Sequence, residues 1–171
     1  MNNQFTQIKP EQITDNPFQL IGSDWMLVTA GNKDAYNTMT ASWGGLGVLW
    51  GKNVAICYVR PSRYTYSFME KADHFTLSFF DASYRKALNF CGSHSGREYD
   101  KAAETGLVPV QIDDGAVAFQ QARLVLVCRK LYYQDFDPKL FLVPELMKNY
   151  PSEDYHRMYV GEIIKSLSKE D

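Results

Sequence analysis

The chain has 171 residues, of which 45% are hydrophobic and 22% charged; this is the make-up of one ordinary globular domain and excludes a disordered chain or one that needs disulfide or metal staples to fold. Eighteen basic side chains against twenty acidic ones leave a formal net charge of -2, so no overall basic field draws the molecule onto nucleic acid or an acidic membrane surface. Aromatic residues are the excess, 14% from eleven Tyr, ten Phe and three Trp, and they suit β-rich cores, subunit interfaces and pockets for flat ligands.

Within a single domain spanning residues 1–171, residues 1–17 read as an irregular lead-in. It is polar, is broken by Pro10 and Pro17, and lacks the apolar segment of a signal peptide. An apolar run at 25–30 predicts a buried strand. At 37–43, Thr38, Thr40 and Ser42 alternate with Met39, Ala41 and Trp43, the period of a strand with one polar and one packed face. Further strands are predicted at 54–59, 75–80, 124–131 and 158–167. Between them fall three short helices: 64–71 with Ser62 as a candidate N-cap, 84–90, and 100–104 ending at Gly106 as a C-cap. Six strands and three small helices without strict βαβ alternation predict a mainly β, antiparallel barrel with short helical insertions.

No run approaches the roughly 18 apolar residues of a membrane span. The cysteines Cys57, Cys91 and Cys128 are odd in number and form no CxxC, which fits a reduced, cytoplasmic protein. With the three histidines they share no zinc-like spacing, so no metal site is expected. The phosphate-loop pattern fails because Leu46 stands where its first glycine belongs. The dinucleotide pattern begins at Gly45 and Gly47 and fails at Trp50. There is no GxSxG elbow.

Three segments instead gather glycine, hydroxyl and cationic residues among aromatics. NTMTASWGGLGVLW, residues 37–50, lets backbone approach a flat ligand and offers polar side chains to it. VRPSRYT, residues 59–65, puts Arg60, Ser62, Arg63 and Thr65 before a helix start, the parts of a phosphate site. CGSHSGREYDK, residues 91–101, is a cationic, hydroxyl-rich loop. Each alone also reads as ordinary structure: a barrel corner, a solvated turn, a surface connection. Together they suit one small ligand with a flat ring system and a phosphate. Cys91 lies in the third segment, where a cationic neighbour could activate it, against the plainer reading of a small apolar filler.

These segments, with NPFQLIGSDWMLVTAG, RPSRYTYSFMEK, FTLSFF, LVCRKLYYQDFDP and YHRMYVGEI in that order and spacing, make the chain resemble the flavin reductase-like family, in its flavoredoxin-type branch of FMN-binding split β-barrels. The resemblance runs over about residues 16–167. It implies a six-stranded antiparallel split barrel, a homodimer, and FMN near the subunit interface. It also implies that Asn37, Met39, Thr40, Ser42 and Trp43 line the ring and ribityl side. Arg60, Ser62, Arg63, Tyr64 and Thr65 would then hold the ribityl chain and phosphate, with Ser95, Arg97 and Lys101 from the third loop. His156 corresponds to a histidine that can face the flavin and is the candidate proton donor, since an ordinary His titrates near 6.5. One departure is Glu98, where the family has the shorter Asp.

The expected function is an FMN-dependent oxidoreductase that accepts hydride from NAD(P)H and passes electrons to an acceptor. The alternatives are a flavoredoxin-type carrier fed by a redox protein partner, and a flavin-binding module without turnover.

Overall fold

A computed structural model describes residues 5–112 and 115–169. In chain order its main elements are β1 (Thr6–Ile8), α1 (Pro17–Gly22), β2 (Met26–Asn32), β3 (Ala35–Ala41), β4 (Gly44–Leu49), β5 (Lys52–Val59), α2 (Tyr64–Lys71), β6 (His74–Phe79), α3 (Arg85–Ser93), α4 (Lys101–Thr105), β7 (Pro109–Gln111), β8 (Val117–Phe119), β9 (Leu124–Asp135) and β10 (Arg157–Ser168). One antiparallel sheet runs β3-β2-β6-β9-β10-β5-β4, with β1 paired to β10, and β7 pairs with β8 apart from it.

The central strands are buried on both faces, which is why β2 and the first half of β9 read as apolar runs, while β6 alternates Phe75, Leu77 and Phe79 with buried Thr76 and Ser78. On one side Val28, Leu77, Leu126 and Cys128 pack with Leu20 of α1 and Met69 of α2. On the other, Leu27, Val125 and Val127 pack with Leu88 and Cys91 of α3 and Phe119 of β8. Burying each such large side chain contributes roughly 1.5–3 kcal/mol. β10 meets β5 along its first half and β1 near its end, and its register against β9 shifts at Val160/Gly161 and Ile163/Lys165. Gly161 makes the first shift possible, because a Cβ there would lie 2.7 Å from the Phe75 ring.

The mainly β antiparallel architecture with short helices is as expected, but the main sheet has eight strands rather than six. The two extra strands are β1, inside the lead-in expected to be irregular, and β4, inside the glycine-rich stretch. β1 is three residues held by the far end of the chain in β10 (Ile8 opposite Ser166, Thr6 opposite Ser168), so no local pattern announces it. β4 begins with Gly44 and Gly45, which carry no side chains to show a period, and it is joined to β5 by Trp50 and Gly51, both at positive φ (53° and 68°). Two such residues make the mirror-image turn whose twist matches a two-residue hairpin.

Helix α2 spans the residues predicted, but Ser62 does not cap it. Arg63 is the N-cap residue and provides no side-chain cap, while Ser62 donates to Asp154 instead. Asp100 caps α4 by accepting from Ala102 and Ala103 N–H, and Gly106 closes that helix at φ 71°. Among the described residues no helix is long and apolar enough to cross a membrane.

Candidate functional site

Strand β3, the turn before α2 and the loop after α3 come together at one end of the sheet. Polar groups on both faces of β3 hold them. Thr40 Oγ1 donates to the Leu88 carbonyl in α3, and Asn37 Nδ2 donates to Thr65 Oγ1 in α2 at 2.7 Å. The Lys101 ammonium donates to Thr38 O and Cys91 O, both at 2.8 Å, and Arg63 Nη2 donates to Gly92 O at 2.6 Å. Two cations therefore sit on the last carbonyls of α3, where unpaired C=O groups and the helix dipole favour positive charge. The following loop passes so close to β3 that a Cβ on Gly96 would lie 1.9 Å from Asn37 Oδ1.

Two cavities abut here, sharing Met39 and Arg63 in their walls. The first, of about 270 Å³, is walled by Thr40, Ser42, Trp43, Arg60 and His156, with Ala41, Tyr58 and Gly92 completing it. The second, of about 110 Å³, is walled by Asn37, Ser62, Tyr64, Thr65, Ser95 and Lys101, with Ser93, His94 and Gly96. Among the described residues no Asp or Glu lines either one. The first is aromatic and open: Trp43 remains 46% exposed, and its ring lies 5.2 Å from that of His156. The second is small, cationic and rich in hydroxyls.

Of the predicted residues, only Arg97 lines neither cavity; its guanidinium lies 4.7 Å over the Tyr64 ring. Arg60 and Ser62 line the cavities but spend donors elsewhere. Arg60 Nη1 reaches Asp154 Oδ1 at 2.9 Å, Arg60 Nη2 reaches Asn149 O at 2.8 Å, and Ser62 Oγ donates to Asp154 Oδ2 at 2.8 Å. Their first partner is thus the segment before β10, not an open anion site.

Electrostatics separate the groups further. Burial lowers the Lys101 ammonium to about 8, opposed by Cys91 and aided by Arg63. Arg63 is also lowered, by burial first and by Arg60 second. Among the described residues neither cation has a carboxylate partner, so a bound anion would stabilise their charged forms. Burial pushes the Cys91 thiol up to about 11, with Lys101 pulling weakly the other way. The protonated, buried thiol packs in the second core cluster, which favours the filler reading over activation by a cation. His156 is pushed down to about 4, by burial first and Arg60 second, with Asp154 opposing. It is therefore neutral at pH 7, its value well below the 6.5 of an ordinary His.

The residues of the site missed in the sequence fall into two groups, one in the cavity walls and one behind them. Gly92, Ser93, His94 and Gly96 lie within a segment already singled out, and Tyr58 is the polar-tipped aromatic of an otherwise apolar strand. Tyr150 and Asp154, which grip His156 and Arg60, lie in a stretch with no periodic pattern, so nothing local marks them.

A family model described as flavin reductase like domain matches residues 18–166. A search of curated proteins returns no match. Among solved structures, an FMN-binding protein from Thermus thermophilus, with bound 1-cyclohex-2-enone, is similar at a TM-score of 0.69 and 20% identity, over 96% of this chain and 78% of that one. A flavoredoxin from Methanosarcina acetivorans is similar at 0.69 and 22%, over 96% and 76%. An NADH:FAD oxidoreductase from Streptomyces globisporus, in complex with NAD and FAD fragments, is similar at 0.63 and 18%, over 85% and 74%.

Proposed function

The chain belongs to the flavin reductase-like family, and from that premise we propose that it holds FMN across the two abutting cavities and works as an oxidoreductase. The observation that carries this reading is the pairing of an open aromatic cavity with a small cationic one that contains no acid. Taken together they reach the lower end of the roughly 300–1,000 Å³ usual for small-molecule sites. The donor set suits the group. Lys101 and Arg63 face the phosphate with Ser95 and Thr65, while Met39, Trp43 and Tyr58 wall the ring. Gly96 keeps the third loop against β3, where any Cβ would displace Asn37.

When bound, FMN supplies the redox chemistry, accepting a hydride or single electrons and passing them on. The chain's own residues bind, orient and shield. Lys101 and Arg63 anchor the charged end, Trp43 covers the flat end, and His156 offers a neutral imidazole beside it. Hydride from NAD(P)H, entering over the open side of the first cavity, is the reading adopted for the reductive step.

A second reading, a carrier reduced by a redox protein partner, draws support from the flavoredoxin likeness, which spans more of the chain than the likeness to the NADH:FAD oxidoreductase. A homodimer is part of the proposal. Exposed apolar side chains such as Val48, Trp50 and Tyr132 support it, with the Trp50 and Tyr132 rings 6.3 Å apart. Three free, buried cysteines support a reducing, cytoplasmic setting. Stopped-flow mixing of the flavin-loaded protein with NADH and NADPH tests the reductive step. Rapid bleaching with either supports turnover; no bleaching with both rejects it in favour of the carrier.

A further inference from the structure

Tyr150 and His156 form a buried pair at the wall of the first cavity. Tyr150 Oη lies 2.8 Å from His156 Nδ1, and the two residues are 6% and 7% exposed. A buried phenol needs an acceptor for its proton. Among the described residues His156 Nδ1 is the one acceptor bonded to that hydroxyl. If Nδ1 carried hydrogen, it would donate to the phenol oxygen, and the phenol's own proton would be left without an acceptor among the described residues. The phenol proton is paired within the protein only when Tyr150 donates and Nδ1 accepts, which leaves the Nε2–H free for a ligand.

Both rings are held in place. His156 packs against Trp43 at 5.2 Å and against Tyr58 and Phe136, each at 6.3 Å. The Arg60 guanidinium lies 5.0 Å over the Tyr150 ring and is itself pinned by Asp154 and the Asn149 carbonyl. This gives Arg60 a role the sequence did not suggest: it clamps the tyrosine rather than reaching for an anion.

We propose that Tyr150 is a positioning residue whose hydroxyl holds the imidazole proton of His156 on Nε2, making that N–H a fixed hydrogen-bond donor for a carbonyl oxygen or ring nitrogen of the ligand in the first cavity. The charged groups around the ring agree with a neutral imidazole. Arg60 disfavours a second proton, and Asp154, which favours one, is already tied to Arg60 and Ser62. His156 then orients its ligand by donating from Nε2 and does not act as an acid at neutral pH. The identity of that ligand rests on the FMN reading; the tautomer does not.

The test is nitrogen NMR of the full chain labelled with ¹⁵N-histidine, at pH 7 and without flavin, with the His156→Gln spectrum assigning the signal. The expected result is an unprotonated Nδ1 and a protonated Nε2. A protonated Nδ1 overturns the proposal. Tyr150→Phe is expected to populate the Nδ1–H form; an unchanged single tautomer removes Tyr150 from the positioning role. Adding FMN to the wild-type chain is expected to shift the Nε2–H resonance, and an unmoved resonance with flavin bound overturns the donor role. If no flavin binds at all, the function reading fails, and the ligand half of this proposal with it, while the tautomer result stands on its own.

Discussion

Replacing Lys101 by Met should separate two flavins that differ only in a phosphate. Lys101 is 6% exposed, and its ammonium gives two of its three protons to Thr38 O and Cys91 O, leaving one for the second cavity, which no carboxylate of the described residues enters. A hydrogen bond to a charged group contributes about 1.5–3 kcal/mol. At about 1.4 kcal/mol per tenfold, loss of one such bond to the phosphate should weaken FMN by roughly 10- to 150-fold. Riboflavin, which has no phosphate, should change little. Methionine keeps most of the stem's volume, but two carbonyls lose their donor, so some stability goes with it. The ratio of the two affinities cancels damage common to both ligands. Isothermal calorimetry or fluorescence quenching with each flavin gives that ratio. Because Lys101 is lowered to about 8, the wild-type affinity for FMN should fall as pH rises beyond about 8, and the riboflavin affinity should not. Equal losses for both flavins, or no loss for FMN, would refute the assignment of this cavity to the phosphate.

Acid should unfold the protein partly through His156. Its folded value, about 4, lies below the 6.5 of an unfolded His, so the unfolded chain takes up the proton first. The stability this contributes is complete above about pH 6.5 and is lost as pH falls towards 4, on the order of 3 kcal/mol in all. Urea midpoints between pH 7.5 and 4.5 should therefore fall less steeply in His156→Gln; parallel curves would contradict the burial argument. Gly96→Ala places a Cβ 1.9 Å from Asn37 Oδ1 and 3.2 Å from Tyr64 Cδ1. It should cost about 1–3 kcal/mol of stability and weaken both flavins, and full affinity at wild-type stability would show that the loop has room. Leu126→Ala, in the core, should cost about 2–5 kcal/mol, whereas Leu142→Ala, at a residue 94% exposed, should stay within about 0.5 kcal/mol in urea denaturation.

The sequence was most legible where structure is local or where burial leaves an unbroken apolar run. Helix α2 is bounded by the Pro61–Ser62 pair and a single apolar stripe, and it begins and ends as predicted. Strand β2 and the first half of β9 are largely apolar on both faces and could be recognised without knowing their partners, and β6 could be recognised from Phe75, Leu77 and Phe79 on one face against Thr76 and Ser78 on the other. β4 was hidden because its glycines show no alternation, and β1 because its pairing is with the far end of the chain. The site was legible in its three motif segments, since Met39, Arg63 and Lys101 belong to contiguous patterns. It was illegible at the stretch before β10. Two short 3-10 turns there, Pro138–Leu140 and Pro144–Asn149, carry no period, yet that stretch delivers Tyr150 to His156 and Asp154 to Arg60. A nearby arginine and serine suggested an anion site; the acid that occupies them is 94 residues from Arg60.

The central claim is that this cationic, acid-free pocket and its aromatic neighbour are built for riboflavin phosphate. Titrating the purified, flavin-stripped protein with FMN, and following the visible absorbance and fluorescence, tests it most directly. The account predicts saturable binding of one FMN per chain, tighter than riboflavin. A chain that takes up no FMN, or that binds riboflavin and FMN equally, would contradict it.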